Sequence, residues 1–235
     1  MNDKKYKILI AEDDVDIIDL LRLYLENANY EVISAEDGEA ALKAVEAESP
    51  DLFICDIMMP KLNGYEVIRT IRERQNSIPV LVLSAKNQDS DKILGLDIGA
   101  DDYMVKPFNP LEIVAKTKAM LRRFYKFGSS LPKNNDITVV GELSLDVPRA
   151  KFTKNGVEIL LTPTEFRIMT LLMNNPGRVF TKVQIYEYIN GEYYENDDNA
   201  LMVHMSNLRD KIEDDSKNPK YIKTVRGLGY KMERG

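Results

Sequence analysis

The sequence has little cysteine, little histidine and no long apolar run. Its 235 residues include one cysteine, Cys55, and one histidine, His204. A single cysteine excludes a disulfide framework and fits a reducing compartment. His204 has no second ligand near it in the sequence, which argues against a metal site there. Residues 1–7 are polar, with three lysines, and no following apolar stretch reaches membrane length. We therefore expect a cytoplasmic protein without a signal peptide or a membrane partner.

Charge is distributed unevenly along the chain, whose formal net charge is −6. Residues 1–124 carry 23 acidic and 16 basic side chains, whereas residues 125–235 carry 15 and 16. This difference predicts two units with different partners. From Ser216 onwards there are six basic side chains and one acidic side chain, so any contact with a polyanion should lie there.

The first half alternates between strand and helix patterns. The apolar patterning predicts strands at 7–11, 31–35, 52–56, 79–84 and 102–106, and helices at 15–27, 38–47, 64–75, 89–98 and 109–124. Five such repeats predict an α/β fold, a doubly wound parallel sheet with helices on both faces. In these sheets the functional site lies outside the carboxyl ends of the strands.

Polar side chains stand at those carboxyl ends. Glu12 and Asp13 follow the first strand, Asp56 ends the third, Ser84 ends the fourth and Lys106 ends the fifth. Alone, Asp56 is as readily explained as an ordinary turn-forming residue. Clustered carboxylates instead indicate a hard cation such as Mg²⁺, and the nearby lysine suits a phosphoryl group.

These residues closely resemble the motif of the receiver domain of bacterial two-component response regulators, over residues 5–124. The resemblance implies that a partner histidine kinase phosphorylates Asp56, with Ser84 and Lys106 contacting the phosphoryl group and Tyr103 acting as a switch aromatic. It implies that Mg²⁺ is held by Asp13, Asp56 and the Met58 backbone carbonyl, and by Glu12 mostly through water. Asp14 is expected to cap a helix.

Charged residues between Asp89 and Arg123 match the positions through which OmpR/PhoB-type receivers dimerise. The resemblance implies a homodimer on phosphorylation, and opposite signs suggest three pairs: Lys92 with Glu112, Asp101 with Lys116, and Asp102 with Arg123. Solvated helix faces are the simpler alternative, because exposed pairs contribute little affinity.

The second half has a different pattern. Residues 125–136 have no periodicity and predict a flexible linker between a domain at 1–124 and another at 137–235. Short strands follow, with a hairpin signature at Asn155-Gly156. Thr162-Pro163-Thr164-Glu165 predicts a capped helix start. Further helices at 181–189 and 199–214 precede a hairpin with basic residues at its tip. In the last helix one core stripe is predicted, and the stripe beside it is expected to approach another surface closely. The core stripe is Leu201, Met205, Leu208 and Ile212, and its neighbour is Ala200, Val203, His204, Asn207 and Lys211.

This arrangement resembles the winged helix–turn–helix effector domain of the OmpR/PhoB family, through segments such as Asn175-Pro176-Gly177-Arg178-Val179 and Val225-Arg226-Gly227-Leu228-Gly229-Tyr230. The resemblance implies binding to double-stranded promoter or operator DNA and contact with RNA polymerase. It places Val203 and Asn207 in the major groove and Arg226 in the minor groove. The residues that it places near phosphates are Asn199, His204, Ser206 and Arg209. The full set of expected DNA-contact residues is Asn199, Ala200, Val203, His204, Ser206, Asn207, Arg209, Lys211, Lys223 and Arg226. The chain as a whole also resembles the vancomycin-resistance (VanR-like) subgroup.

Two other functions compete with a phosphorylation-controlled transcription regulator. An aspartyl-phosphate hydrolase would carry a second Asp two residues after the nucleophile, where this chain has Met58. The other alternative is a DNA-binding protein whose first half dimerises without phosphorylation, which the complete set of Glu12, Asp13, Ser84 and Lys106 argues against. We accordingly expect no enzymatic role beyond weak self-phosphorylation and self-dephosphorylation. With apolar Met58 unable to orient a hydrolytic water, the phosphorylated state is expected to be long-lived.

Overall fold

A computed structural model describes residues 5–85, 89–125, 137–190 and 198–234. The chain divides into two compact units, Met1–Phe124 and Tyr125–Gly235, which we call the first and second units. The predicted linker, apart from Tyr125, lies outside the described residues. Within the described ranges, no helix has both the length and the apolar character needed to cross a membrane.

The first unit is the predicted parallel α/β sheet. Its strands and helices are β1 (Lys7–Ala11), α1 (Val15–Asn27), β2 (Glu31–Ala35), α2 (Gly38–Glu48), β3 (Leu52–Asp56), α3 (Gly64–Glu73), β4 (Val80–Ser84), α4 (Asp89–Asp97), β5 (Asp102–Val105) and α5 (Pro110–Tyr125). The strand order is β2-β1-β3-β4-β5, and every pairing is parallel. This is the flavodoxin-like order, in which the sheet's switch point lies beside β1 and β3.

Local sequence explains where these elements begin. Asp14 caps α1 by accepting hydrogen bonds from the backbone of Asp16 and Ile17, as expected for a cap. Asn63 and Glu66 form a capping box at the start of α3. All five residues of β3 are buried because helices cover both faces of the central strand. Cys55 is among them and packs in the core, as predicted.

In its described residues, the second unit combines two antiparallel sheets with three helices. Its elements are β6 (Thr138–Val140), β7 (Leu143–Asp146), β8 (Lys151–Lys154), β9 (Val157–Glu158), α6 (Pro163–Met173), β10 (Val179–Phe180), α7 (Lys182–Asn190), α8 (Asp198–Ile212), β11 (Ile222–Val225) and β12 (Gly229–Met232). The sheet orders are β6-β7-β8-β9 and β10-β12-β11.

Several sequence signals in the second unit are confirmed. Asn155 and Gly156 have positive φ and connect β8 to β9, which is what a tight hairpin turn requires. Thr162 and Glu165 form the predicted capping box of α6. On α8, one stripe is fully buried against the core, at Leu201, Met205, Leu208 and Ile212. The two-residue strand β10 was not predicted, since it is too short to show a period of its own.

Candidate functional site

The predicted polar residues converge at the carboxyl ends of the first unit's strands. Lys106 Nζ lies 2.6 Å from Glu12 Oε2 and 2.9 Å from Asp56 Oδ2. Glu12 and Asp56 are 94 and 50 residues from Lys106 in the chain. The sheet brings them together because β1, β3 and β5 all run in the same direction. The expected clustering of these three side chains is therefore present in the structure.

Burial sets the electrostatics of this cluster. The residues Glu12 and Asp56 are only 1% and 3% exposed. Burial raises the pKa of the Glu12 carboxyl to about 7, against the opposing effect of the hydrogen bond from Lys106. Burial alone would lower the pKa of Lys106, but its bonds to Glu12 and Asp56 outweigh that effect and raise it. The lysine is thus held as an ammonium between two carboxyl groups.

The cluster has the donor set of a hard divalent cation. Carboxylate oxygens of Glu12, Asp13 and Asp56 all lie within 4.8 Å of one another. Asp13 is exposed, so the group opens to solvent on that side. Oxygen-only ligands with an open side fit Mg²⁺, which keeps several waters when it binds. The backbone carbonyl of Met58, two residues after Asp56, is the further ligand that the resemblance implies, and it stays a prediction.

The loop between β3 and α3 is held from both ends. The Cβ of an alanine at Gly64 would lie 2.2 Å from the Asp56 carbonyl oxygen, so only glycine permits this approach. At the other side, Lys61 Nζ forms a 2.5 Å ion pair with Asp37 Oδ2. Asp37 also caps α2 through its other carboxylate oxygen, which accepts from Ala40 N at 2.8 Å. This loop carries Met58, so these contacts set where its backbone carbonyl lies.

The two switch residues lie beside the cluster. Ser84 is fully buried at the end of β4, and Tyr103 is half-buried on β5. Burial raises the pKa of Tyr103, and a side-chain hydrogen bond with Ser84 opposes that rise. The Tyr103 ring fits against Gly95 of α4, where a Cβ would lie 3.3 Å from it. In this structure the tyrosine therefore faces the hydroxyl of Ser84.

Asp101, Asp102 and Lys116, three of the six charged residues expected at the dimer surface, form ion pairs within the chain. Asp101 is bonded to Arg72 at 3.2 Å and to Val80 N at 3.0 Å, and its side chain is 4% exposed. Asp102 forms a 2.7 Å ion pair with Lys116. Glu112 is exposed. The side chains of Lys92 and Arg123 lie outside the described part of the structure.

The residues expected to contact DNA differ widely in exposure. Ser206 and Lys211 are exposed on α8, whereas Val203 and His204 are 8% and 5% exposed. Helical spacing placed Val203 and His204 on a stripe expected to be open to another surface, but in this structure both residues are buried. Ala200 and Asn207 are intermediate, and the side chain of Asn199 is outside the described set. Arg226 is exposed at the tip of the β11–β12 hairpin.

Arg209, Lys211 and Lys223 each form bonds within the second unit. Arg209 donates to the carbonyl of Ile222 and to the hydroxyl of Thr224. Lys211 Nζ lies 2.6 Å from the buried carboxylate of Glu165. Lys223 bonds the backbone carbonyl of Pro219. As DNA contacts, all three stay predictions.

Sequence reasoning missed the residues that support the cluster. Asp37 before Gly38 has the pattern of a helix cap, but its second bond, to Lys61, spans 24 residues and leaves no local signal. At the opposite edge of the sheet, where β4 and β5 begin, the sequence also showed no sign of the contacts of Arg72, which bonds the carbonyls of Asn76, Ile78 and Gly99. Of these partners, Gly99 is 27 residues away and is brought close only by the folded sheet.

Comparisons with known proteins agree with this geometry. The family model of the response regulator receiver domain matches residues 8–118, and that of the transcriptional regulatory protein C terminus matches residues 156–232. The alkaline phosphatase synthesis regulator PhoP of Bacillus subtilis is 45% identical over 97% of this chain and 96% of its own. Regulatory protein VanR of Enterococcus faecium is 42% identical over 97% of this chain and 99% of its own, which confirms the expected VanR-like resemblance.

A solved structure gives the same family. DrrB, a response regulator described as an OmpR/PhoB homologue from Thermotoga maritima, matches with 28% identity and a TM-score of 0.51, over 97% of this chain and 99% of its own. Receiver and effector models thus match in order, and relatives align along nearly the full length. The chain belongs to the OmpR/PhoB family of two-component response regulators, which join a receiver domain to a DNA-binding domain and regulate transcription.

Proposed function

We propose that Asp56 accepts a phosphoryl group from a partner histidine kinase and that this event controls dimerisation and sequence-specific DNA binding. The observation that supports it best is the position of Lys106, whose ammonium bonds both Glu12 and Asp56 at the mouth of the sheet. Two carboxylates and an ammonium beside an exposed Asp13 form a site prepared for a divalent cation and a phosphoryl group.

In the transfer step, a carboxylate oxygen of Asp56 attacks phosphorus. A new O–P bond forms as the N–P bond to the kinase histidine breaks, and the histidine leaves with that electron pair. Bound Mg²⁺ would neutralise charge on the transferring oxygens and would be held by Asp13, Asp56 and the Met58 carbonyl, with Glu12 acting mostly through water. Lys106 supplies a second positive charge at the phosphoryl oxygens.

Phosphorylation then shifts the populations of two receiver conformations. Ser84 turns its hydroxyl towards a phosphoryl oxygen, and Tyr103 follows because the two side chains are bonded. The shift is limited to the free energy by which these contacts differ between the two conformations. The surface formed by α4, β5 and α5 carries that change to a second copy of the chain.

The second unit supplies the output. We assign residues 137–235 as the DNA-binding domain, 1–124 as the receiver domain and 125–136 as the linker between them. The α8 helix meets the major groove and Arg226 the adjacent minor groove. With few basic residues on α8, dimerisation is needed for tight binding. RNA polymerase is the expected partner at promoters, and the cytoplasm, where the DNA lies, is the expected location.

A phosphorylation assay tests the proposal directly. The full chain is incubated with acetyl phosphate and Mg²⁺, and mass spectrometry follows the addition of one phosphoryl group. The wild-type chain should gain it and the Asp56→Asn variant should not. Operator binding, measured on the same samples, should rise only for the wild-type chain. Equal phosphate uptake by the variant would contradict the assignment of Asp56, and unchanged DNA binding would favour a phosphorylation-independent regulator.

A further inference from the structure

Arg209 lies on α8 but points at the neighbouring hairpin. Its Nε and Nη2 atoms donate to the Ile222 carbonyl at 3.1 and 2.9 Å, and Nη2 also donates to Thr224 Oγ1 at 2.8 Å. Its guanidinium carbon is 5.8 Å from the centre of the Tyr230 ring. The planar fork is thus matched to one strand edge and one aromatic ring, which a flexible ammonium could not reproduce.

A second residue, one helical turn further along, holds the same strand at its base. Glu213 is 9% exposed and accepts hydrogen bonds from the backbone N–H groups of Lys220, Tyr221 and Ile222. Residues four apart on a helix share a face. Glu213 therefore fixes the start of β11, and Arg209 fixes the part nearer the hairpin tip.

The hairpin needs such support because it is small. Strands β11 and β12 have four residues each, and β12 has only two residues of β10 as its other neighbour. Ile222, Tyr230 and Met232 anchor the hairpin's base in the core of the unit, so the contacts of Arg209 matter most for the part nearer the tip. Thr224 is two residues from Arg226, the exposed residue at the tip. Contacts at Thr224 thus determine where the side chain of Arg226 is presented relative to α8.

We propose that Arg209 is a positioning residue that fixes the hairpin to α8, so that the helix and Arg226 engage DNA in one register. This replaces the phosphate contact expected from the sequence, and it rests on the proposed DNA-binding function. Arg209 acts through Arg226, so its contribution to affinity exists only while Arg226 is present.

The variants Arg209→Lys and Arg209→Gln distinguish a residue that positions the hairpin from one that contacts a DNA phosphate. The probe is a fluorescent duplex enriched from a random 30-base-pair library by the wild-type chain after treatment with acetyl phosphate and Mg²⁺. A phosphate contact would leave Arg209→Lys close to wild type, because lysine also binds phosphate. If Arg209 is a positioning residue, both variants should lose DNA affinity to the same extent, about tenfold, because both lack the planar guanidinium group. Their salt slopes should then be equal, whereas loss of a phosphate contact in Arg209→Gln alone would lower its slope by about 0.9.

A double-mutant cycle with Arg226→Ala gives the second readout. We expect Arg209→Lys to cost about tenfold in the wild-type background and less than about twofold in the Arg226→Ala background. A general weakening of the fold would lower affinity in both backgrounds. Arg178→Lys is the matched control in the same unit: Arg178 stacks over Phe180 at 4.7 Å, so the change should alter affinity by less than about twofold.

Each outcome decides the matter. Equal losses that vanish without Arg226 support the positioning role. Wild-type affinity for Arg209→Lys, no loss in either variant, or a loss that persists in the Arg226→Ala background overturns it. If the wild-type chain enriches no duplex at all, the proposed DNA-binding function fails instead, and that result is distinguishable from the others.

Discussion

Lys106 Nζ and Asp56 Oδ2 lie 2.9 Å apart, with side chains 17% and 5% exposed. This pair joins the fifth strand's end to the third, and Glu12 shares the same ammonium. The lysine therefore pairs with two buried carboxyl groups at once. Under the proposed function, the same positive charge would also contact the phosphoryl oxygens.

Removing that charge should destabilise the first unit. For Lys106→Met we expect the free energy of unfolding to fall by about 2–4 kcal/mol, because Asp56 and Glu12 are left buried without a cation. Saturating Mg²⁺ should restore part of the loss, since the ion can neutralise the same carboxylates. Urea unfolding followed by circular dichroism, with and without Mg²⁺, measures both effects.

An exposed lysine on α5 gives the matched control for this substitution. Lys118→Met removes the same charge from a solvated position, so its effect should stay within about 0.5 kcal/mol. Its stability should show the same Mg²⁺ dependence as the wild-type chain. If Lys106→Met were no less stable than Lys118→Met, the ion pair would not have the role assigned to it.

The Asp37–Lys61 pair should tune Mg²⁺ affinity from outside the cluster. Asp37→Ser keeps the cap on Ala40 N, because serine is a good capping residue, but it removes the partner of Lys61. The loop that carries Met58 then loses one attachment, and we expect Mg²⁺ affinity to fall about threefold to tenfold. Isothermal titration of the unphosphorylated chain measures it.

The partner substitution checks that the effect passes through the pair. Lys61→Met should lower Mg²⁺ affinity to the same extent as Asp37→Ser, and the double variant should be no weaker than either. Additive losses would show that the two residues act independently. Unchanged Mg²⁺ affinity in Asp37→Ser would show that the β3–α3 loop is held without the ion pair. The close backbone approaches at Gly38, to Leu62, and at Gly64, to Asp56, would then be sufficient.

The contrast between Lys106 and Lys61 explains how much of the site the sequence could predict. Glu12, Asp56 and Lys106 end strands that each have their own apolar pattern, so a parallel sheet alone places them together. The bond of Lys61 to Asp37 depends on how a loop folds back on α2, which no periodicity records. Arg72 is similar, since its partners Ile78 and Gly99 follow different elements.

On α8 the sequence predicted the buried stripe but not that residues beside this stripe are buried as well. Leu201 and Leu208 follow helical spacing, and both are fully buried. Val203 lies off that stripe but is nevertheless buried, with only 8% of its surface exposed. Helical spacing assigns a residue to a face but does not reveal what covers that face. For Arg209 the sequence likewise shows the charge on which the expected phosphate contact rests, but not its bonds to Ile222 and Thr224.

Met58 should lengthen the life of the phosphorylated state. Its side chain is 58% exposed and apolar, so it offers no group that could orient an attacking water near Asp56. Met58→Asn adds an amide at that place, and we expect the half-life of the phosphorylated chain to shorten about tenfold. Loss of phosphate is followed by mass spectrometry after removal of acetyl phosphate. A wild-type half-life of seconds, equal to that of the variant, would refute this explanation.

Asp101 and Asp102 are adjacent, but substitution by asparagine should mainly lower stability at Asp101 and mainly weaken dimerisation at Asp102. Asp101→Asn breaks a buried bond to Arg72, and we expect the free energy of unfolding to fall by about 1–3 kcal/mol with little change in dimerisation at temperatures where the chain is folded. Asp102→Asn breaks only the partly exposed pair with Lys116, so stability should change by less than about 1 kcal/mol. Because the Asp102 carboxylate is the more accessible, its loss should weaken dimerisation of the phosphorylated chain several-fold by removing a charge that fixes the register. Sedimentation with acetyl phosphate and thermal unfolding measure the two effects, and a dimer weakened by Asp101→Asn alone would reverse the assignment.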